Sequence, residues 1–312
     1  MSIRAMQDEI RSQIEDLPRF AAQLRKSQDK IIDPSKLAFA GSGDSYAAAL
    51  FAHELSKGKA LAVDPYELSR AIERVLGKTL VIISVSGKTR TNLELAKRAK
   101  RVARERIAIT ANESSPLAKE CDRVVLLDYR RSGTFTSGTV SFTCALLACA
   151  AILRKVPRSI NLRGTFQQSL EWARTSRLSE RGGVVFIGSG VDYSIGLYGA
   201  AKLNEVIGMR AEADYPEQFG HAHLFSVDKE HDTILCINSA RDKTWELEKT
   251  LRRRGFQAKH LEVRGSDEVV NCVKIALHLQ LLALTEAQRK RMKECAFKTD
   301  RARLRLSSAL IY

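Results

Sequence analysis

The chain repeats itself, and the repeat restricts the fold more than any other feature. Phe39-Ala-Gly-Ser-Gly-Asp-Ser-Tyr-Ala-Ala-Ala-Leu50 lines up with Phe186-Ile-Gly-Ser-Gly-Val-Asp-Tyr-Ser-Ile-Gly-Leu197, sharing Phe, Gly, Ser, Gly, Tyr and Leu. A second pair follows, "TLVIISVSGKT" from Thr79 and "TILCINSARDK" from Thr233. Each copy reads as an apolar strand, a glycine turn and a helix. Strands alternating with helices argue a parallel sheet covered on both faces. The expected organisation is a helical segment at 1–34, a first α/β unit at 35–160, a second at 161–290, and a basic tail at 291–312. The N-terminal helix is expected over about 5–30. The stretch "SGTVSFTCALLACAAILRK" reads as a long, buried helix.

The two copies differ in one loop. After the strand Leu80 to Ile83 the first copy reads Ser84-Val85-Ser86-Gly87-Lys88-Thr89, and the second reads Asn238-Ser-Ala-Arg-Asp-Lys243. The Gly-Lys-Thr tail resembles a nucleotide P-loop, but that motif needs a glycine five positions earlier, where Ile82 lies inside the strand. What remains is a loop of hydroxyl groups and one glycine ahead of a helix, which suits a phosphate group. The plainer explanation is an N-capping turn, where Ser and Thr are common. Retention of the loop in one copy of a duplicated scaffold favours a site. Neither "GSGDSYA" nor "GSGVDYS" carries the third glycine of a dinucleotide fingerprint, so Ala47 and Ser194 stand near that point and NAD is weakly supported.

Apolar residues make up 44% of the 312 residues, enough for a substantial core. No run of about 18 apolar residues and no signal-peptide block is seen, which predicts a soluble, cytoplasmic chain and no membrane partner. The six cysteines and six histidines show no metal-ligand spacing, so no metal and no cofactor are expected. Net charge is +15, with dense clusters at 289–293 and 301–305. No nucleic-acid module accompanies them. A solvated surface that steers anionic metabolites explains them better than nucleic acid, which is not expected as a partner.

Together these motifs resemble the double sugar isomerase (SIS) domain family, and within it the isomerase half of the glucosamine-6-phosphate synthases. That half carries a Gly-Thr-Ser-Tyr turn, a Ser-Gln-Ser-Gly-Glu-Thr loop and, in its second copy, Gly-Ala-Leu-Lys-Leu-Lys-Glu, then Ala-Glu-Ala and a histidine. The counterparts are Gly43-Asp44-Ser45-Tyr46, Ser84 to Thr89, Gly199-Ala-Ala-Lys202-Leu-Asn-Glu205, Ala211-Glu212-Ala213 and His221. The likeness spans about residues 35–290. It implies two units, each a parallel five-stranded sheet flanked by helices in three layers.

By this resemblance Ser45, Ser84, Ser86 and Thr89 hold a sugar phosphate, with Gly43, Gly87 and Lys88 as further candidates around them. Glu205 is the base between C1 and C2, with Lys202 beside it on the same helix face. His221 assists ring opening, reaching in from a neighbouring subunit. A homodimer with shared active sites follows from the resemblance, with the apolar stretches 137–153 and 272–284 offering surface to pack. The family's loop Gln and Glu are Val85 and Lys88 here, Gln218 stands where a Glu is usual, and Lys298 matches the family's C-terminal lysine by region only. No glutaminase domain is recognisable, so glutamine-driven amination by this chain is not expected. Without the resemblance, Glu205 reads as a surface carboxylate paired with Lys202, and His221 as a loop histidine. His53, His223 and His278 read as structural, and Glu212 as either a site or a surface carboxylate.

The implied activity is aldose–ketose isomerisation of a hexose or amino-hexose 6-phosphate through an enediol. The alternatives are a glucosamine-6-phosphate deaminase or deglycase and a non-catalytic sugar-phosphate regulator.

Overall fold

Leu37–Gly41 (β1) and Thr79–Ile83 (β3) are buried at every position, as strands covered on both faces must be. In the computed structural model, which describes residues 1–27, 32–239 and 243–312, they lie at the centre of a parallel sheet. Leu61–Val63 (β2) flanks β1, while Glu105–Thr110 (β4) and Arg123–Leu126 (β5) continue beyond β3, giving the order β2-β1-β3-β4-β5. Side chains alternate by the two-residue period. Ala38, Ala40, Leu80, Ile82 and Ala108 pack on one face with Leu68 of Pro65–Arg70 (α3), and with Leu95, Ala96 and Ala99 of Arg90–Ala99 (α4). The connecting helices Asp44–Leu55 (α2) and Val140–Ile152 (α6) pack on each other. α6 is buried at every position except Ala151. Pro116–Glu120 (α5) completes the set.

The chain forms two compact units. The first holds Glu15–Arg130, Val140–Ile160 and Arg301–Tyr312; the second holds Met1–Ile14, Arg131–Thr139 and Asn161–Asp300. Ser2–Lys26 (α1) contributes residues to both. The expected extension of this helix to about residue 30 runs beyond the described residues.

The second unit repeats the plan. Val184–Ile187 (β6), Ala211–Asp214 (β7), Thr233–Asn238 (β8) and Gln257–Glu262 (β9) form a parallel sheet of order β7-β6-β8-β9. One face packs on Phe219 of Pro216–His221 (α9) and Leu251 of Lys243–Arg253 (α10). Val191–Ile207 (α8) packs against Glu268–Arg289 (α11), which also packs on Arg163–Thr175 (α7). A Cβ on Gly199 would stand 2.6 Å from Leu279 Cδ1, so the α8–α11 approach requires that glycine. By composition α11 could span a bilayer, yet 83% of its most apolar window is buried in the fold.

Two expectations are corrected. The second sheet has four strands among the described residues, not five. In the first unit α5 and β5 follow β4. In the second, only residues 263–266 separate β9 from Asp267, whose carboxylate accepts the Val270 N–H at 3.0 Å and starts α11. No chain remains there for a further strand. The apolar stretches expected to offer a dimer surface, now seen as α6 and most of α11, are buried within the single chain.

Candidate functional site

In a sheet ordered β2-β1-β3-β4-β5 the strand order reverses between β1 and β3, and the carboxyl ends of parallel strands at such a switch point are where ligands of open α/β sheets bind. The loop residues singled out in the sequence sit there. Gly43, at φ +59°, turns the chain from β1 into α2. Gly41 lets the helix approach, since a Cβ there would lie 2.6 Å from the Ser45 carbonyl oxygen. Ser45 stands in the first turn of α2, partly exposed, with its hydroxyl bonded to no described residue.

The loop after β3 is shaped around Gly87. Its φ is +64°, and a Cβ would stand 2.2 Å from Ser115 Oγ, so no other residue fits. The Gly87 N–H donates to the Ser84 carbonyl at 3.0 Å and to Ser84 Oγ at 3.2 Å. Ser84 Oγ and Thr89 Oγ1 approach to 3.5 Å, and Ser86 Oγ accepts the Lys88 N–H at 3.3 Å. Thr89 precedes α4 without capping it by its side chain. The first-turn N–H groups of α4 therefore point into the loop with the positive end of the helix behind them. Ser84 is buried, Ser86 and Thr89 are partly exposed and Lys88 is exposed, so the loop gathers three hydroxyls and one cation ahead of a helix start, a set of groups suited to an anion. Arg301–Ile311 (α13) belongs to this unit, and Arg90 Nη2 donates to its Ala309 carbonyl at 3.0 Å, which places the tail helix beside the start of α4.

The second unit keeps the turn and loses the cradle. Gly190 (φ 56°, ψ −128°) reproduces Gly43 (φ 59°, ψ −128°). A Cβ on Gly188 would meet Asp192 C at 2.7 Å, as one on Gly41 would meet Ser45 C. The position of Ser45 is taken by Asp192, which is 2% exposed and whose carboxylate accepts the Ser239 N–H at 2.8 Å. A buried carboxyl thus occupies the position that Ser45 holds in the first unit. The remainder of the counterpart loop, Ala240 to Asp242, lies outside the described residues. Asp192 is a functional difference that sequence reading missed, although the alignment of the copies sets it opposite Ser45.

Lys202 and Glu205 share a face of α8, as their spacing predicts. Lys202 is fully buried, and its Nζ donates to Glu205 Oε2 at 2.7 Å and to Ser137 Oγ at 2.7 Å. Ser137 Oγ in turn donates to the same Oε2 at 2.7 Å. The ammonium also lies 5.1 Å over the Tyr198 ring. Tyr198 is buried and donates its hydroxyl to the Gly138 carbonyl at 2.9 Å, so it ties α8 to the segment carrying Ser137. Burial pushes the Glu205 pKa up, but the Lys202 charge and the bonds from Lys202 and Ser137 outweigh it and hold the carboxyl below its ordinary value. Glu205 Oε1 accepts no bond from a described residue, and the side chain is 40% exposed. One oxygen is fixed and the other is open to a substrate proton. Glu205 lies 14 residues along α8, about 20 Å from the helix start at the unit's own crevice.

His221 closes α9, exposed, with Glu217 at 3.6 Å as its ion-pair neighbour, and makes no bond to Glu205. His223, which reads as structural in the sequence, sits between two carboxylates: Nδ1 is 2.8 Å from Asp214 Oδ2 and Nε2 is 3.3 Å from Glu212 Oε2. Lys298, in Ala296–Thr299 (α12), donates to the Phe135 carbonyl at 3.3 Å, two residues before Ser137, and pairs with Glu294 at 3.3 Å. It does not bond Glu205.

Residues 30–153 match the sequence profile of the SIS domain. These residues form a SIS domain. A glutamine–fructose-6-phosphate aminotransferase (isomerizing) of Zymomonas mobilis is 26% identical over 204 residues, 57% of this chain and 33% of the relative. The match thus spans about a third of that longer protein. Among solved structures, the glucosamine-6-phosphate deaminase of Thermotoga maritima has a TM-score of 0.76 at 22% identity, covering 92% of this chain and 95% of its own. The C-terminal domain of the glucosamine-fructose-6-phosphate aminotransferase of Francisella tularensis has a TM-score of 0.74 at 20% identity, covering 93% and 97%. These likenesses are of fold, and they cover both units. The cradle from Ser84 to Thr89 falls inside the matched SIS domain, while Glu205 lies beyond it.

Proposed function

We propose that this chain isomerises a hexose or amino-hexose 6-phosphate between aldose and ketose. The first unit anchors the phosphate at Ser45, Ser84, Ser86 and Thr89, with Lys88 adding charge. Glu205 carries the proton. Its Oε1 removes the C2 proton of the open-chain aldose to give an enediolate, the O2 hydroxyl proton passes to O1, and the same carboxyl returns its proton to C1, leaving the carbonyl at C2. Lys202 and Ser137 hold Oε2, so the carboxyl keeps its aim and starts ionised. His221, supplied by a second copy of the chain, opens the sugar ring in a homodimer. The observation that carries this reading is the Lys202–Ser137–Glu205 network, which leaves one ionised oxygen open.

A deaminase is the second reading, favoured by the fold likeness to the Thermotoga maritima deaminase over nearly the whole of both chains. It shares the enediol chemistry and adds loss of ammonia. Incubation with hexose and amino-hexose 6-phosphates in D2O decides among these. Deuterium at C2 with an isomerised product supports the isomerase, and ammonia release supports the deaminase. A thermal shift without exchange identifies a sugar-phosphate sensor.

A further inference from the structure

The amino ends of the first unit's strands carry a basic surface that the sugar-phosphate reading does not use. Lys97, Arg98, Lys100, Arg101 and Arg104 fall within eight residues at the end of α4 and the turn after it, and all five are exposed. None forms an ion pair with a described carboxylate. Three further cations join them, Arg70, Arg74 and Lys78. The two stretches are stitched together: Arg98 Nη1 donates to the Ser69 carbonyl at 2.9 Å, Gly77 N to Val102 O at 3.0 Å, and Arg104 N to Lys78 O at 2.8 Å. Within 70–78 and 97–104 the one carboxylate is Glu73.

Two ordinary explanations fall short. Cations in a last helical turn answer the negative end of the helix, which accounts for Lys97, Arg98 and Lys100, for Arg70 at the end of α3 and for Arg74 in the short helical turn after it, but not for Lys78, Arg101 and Arg104. Steering of substrate would place charge near the cradle. Lys78 and Arg104 instead precede the first residues of β3 and β4, while the cradle follows the last residue of β3, about 16 Å away along the strand.

We propose that this surface binds single-stranded nucleic acid through its phosphodiester backbone. Three arginines, Arg98, Arg101 and Arg104, present planar forks suited to phosphate oxygens. The cations come from a helix end and loops, with no projecting helix or ribbon to enter a duplex groove. A flexible strand can follow such a patch where a duplex cannot. An anionic membrane fits less well. Val102 and Ala103 pack onto the core, so Leu76, 72% exposed, is the only large apolar side chain presented by these segments, and one leucine is a poor bilayer anchor.

The test uses the full chain and a labelled single-stranded RNA of about 20 nucleotides, followed by anisotropy against salt. Five phosphate contacts on a single strand predict a log–log slope of about −3.5. The combined substitution Lys100→Gln, Arg101→Gln, Arg104→Gln should weaken binding at least tenfold and flatten the slope by about 2. Arg301→Gln, Arg303→Gln, Arg305→Gln removes the same charge elsewhere and should leave both unchanged. Thermal midpoints equal to the parent's confirm folding, and Lys97→Gln with Lys100→Gln serves if the triple variant is unstable. Equal losses in the two triple variants, displacement of RNA by sugar phosphate, or tighter binding to phosphatidylserine vesicles than to RNA would each overturn the proposal.

Discussion

Lys202 Nζ stands 2.7 Å from Glu205 Oε2, with the lysine fully buried and the glutamate side chain 40% exposed. The pair is asymmetric. The cation has no access to water and depends on its partners, while the carboxylate keeps one open oxygen. A buried ion pair is weak evidence for stability, but an ionised carboxyl pinned on one side is a useful base.

Glu205→Gln retains the shape and the acceptor for Lys202 and cannot take a proton. Sugar-phosphate affinity should stay within a few-fold, while C2 proton exchange falls by about 10²–10⁴. Isothermal titration and deuterium exchange measure the two separately. Exchange at the parent rate would remove Glu205 from the mechanism.

The pH dependence follows from the lowered Glu205 pKa. A carboxyl whose folded pKa lies below its unfolded value contributes stability above the unfolded value, and that contribution is lost as pH falls through the folded one. The base likewise stays ionised down to its folded pKa. The acid limb of kcat should therefore lie below the ordinary 4.5 of a glutamate. Lys202→Met removes the main lowering charge and should move the limb upward. A limb unmoved in Lys202→Met would show that the lysine does not set the protonation of the base.

Glu205→Ala takes the carboxylate away from a buried ammonium that also contacts Ser137 and the Tyr198 ring. Opening a sealed buried pair costs about 3–5 kcal/mol. Water reaches the glutamate side, which screens the charge, so about 2 kcal/mol is expected in urea unfolding. Glu205→Gln should cost less.

Anchoring is expected in the first unit alone. Ser86→Ala should weaken sugar-phosphate binding by about tenfold, the worth of one hydrogen bond to a charged group. Ser239→Ala should change nothing, since the Ser239 N–H already serves Asp192. Matching losses at the two positions would dismiss a single cradle.

Gly87→Ala should abolish sugar-phosphate binding and lower the thermal midpoint, because the new Cβ meets Ser115 Oγ at 2.2 Å and the backbone is left-handed. Gly133→Ala is the control. Its φ is +71° with nothing within 4 Å, so it carries backbone strain alone, about 1 kcal/mol. Equal midpoints for the two variants would mean that the loop is not shaped by close packing at Gly87.

Much of this was legible in the chain itself. The repeat announced two α/β units, because a strand, a glycine turn and a helix are local events written in neighbouring residues. Gly41, Gly43 and Gly87 marked the turns, because only glycine tolerates those backbone angles and contacts. The three-residue spacing of Lys202 and Glu205 was enough to set them on one face of a helix. Tertiary structure decided the rest. Ser137 joins Lys202 across 65 residues of chain, and no spacing rule encodes a contact of that range. His223 gained two carboxylates by the folding of β7 against the turn after α9. The short run from β9 to α11 capped the second sheet at four strands. Asp192 became a buried acceptor for the Ser239 N–H only when α8 brought it under the loop after β8. A sequence lists the groups that can ionise or donate, but burial and long-range contact determine which of them remain available to a ligand.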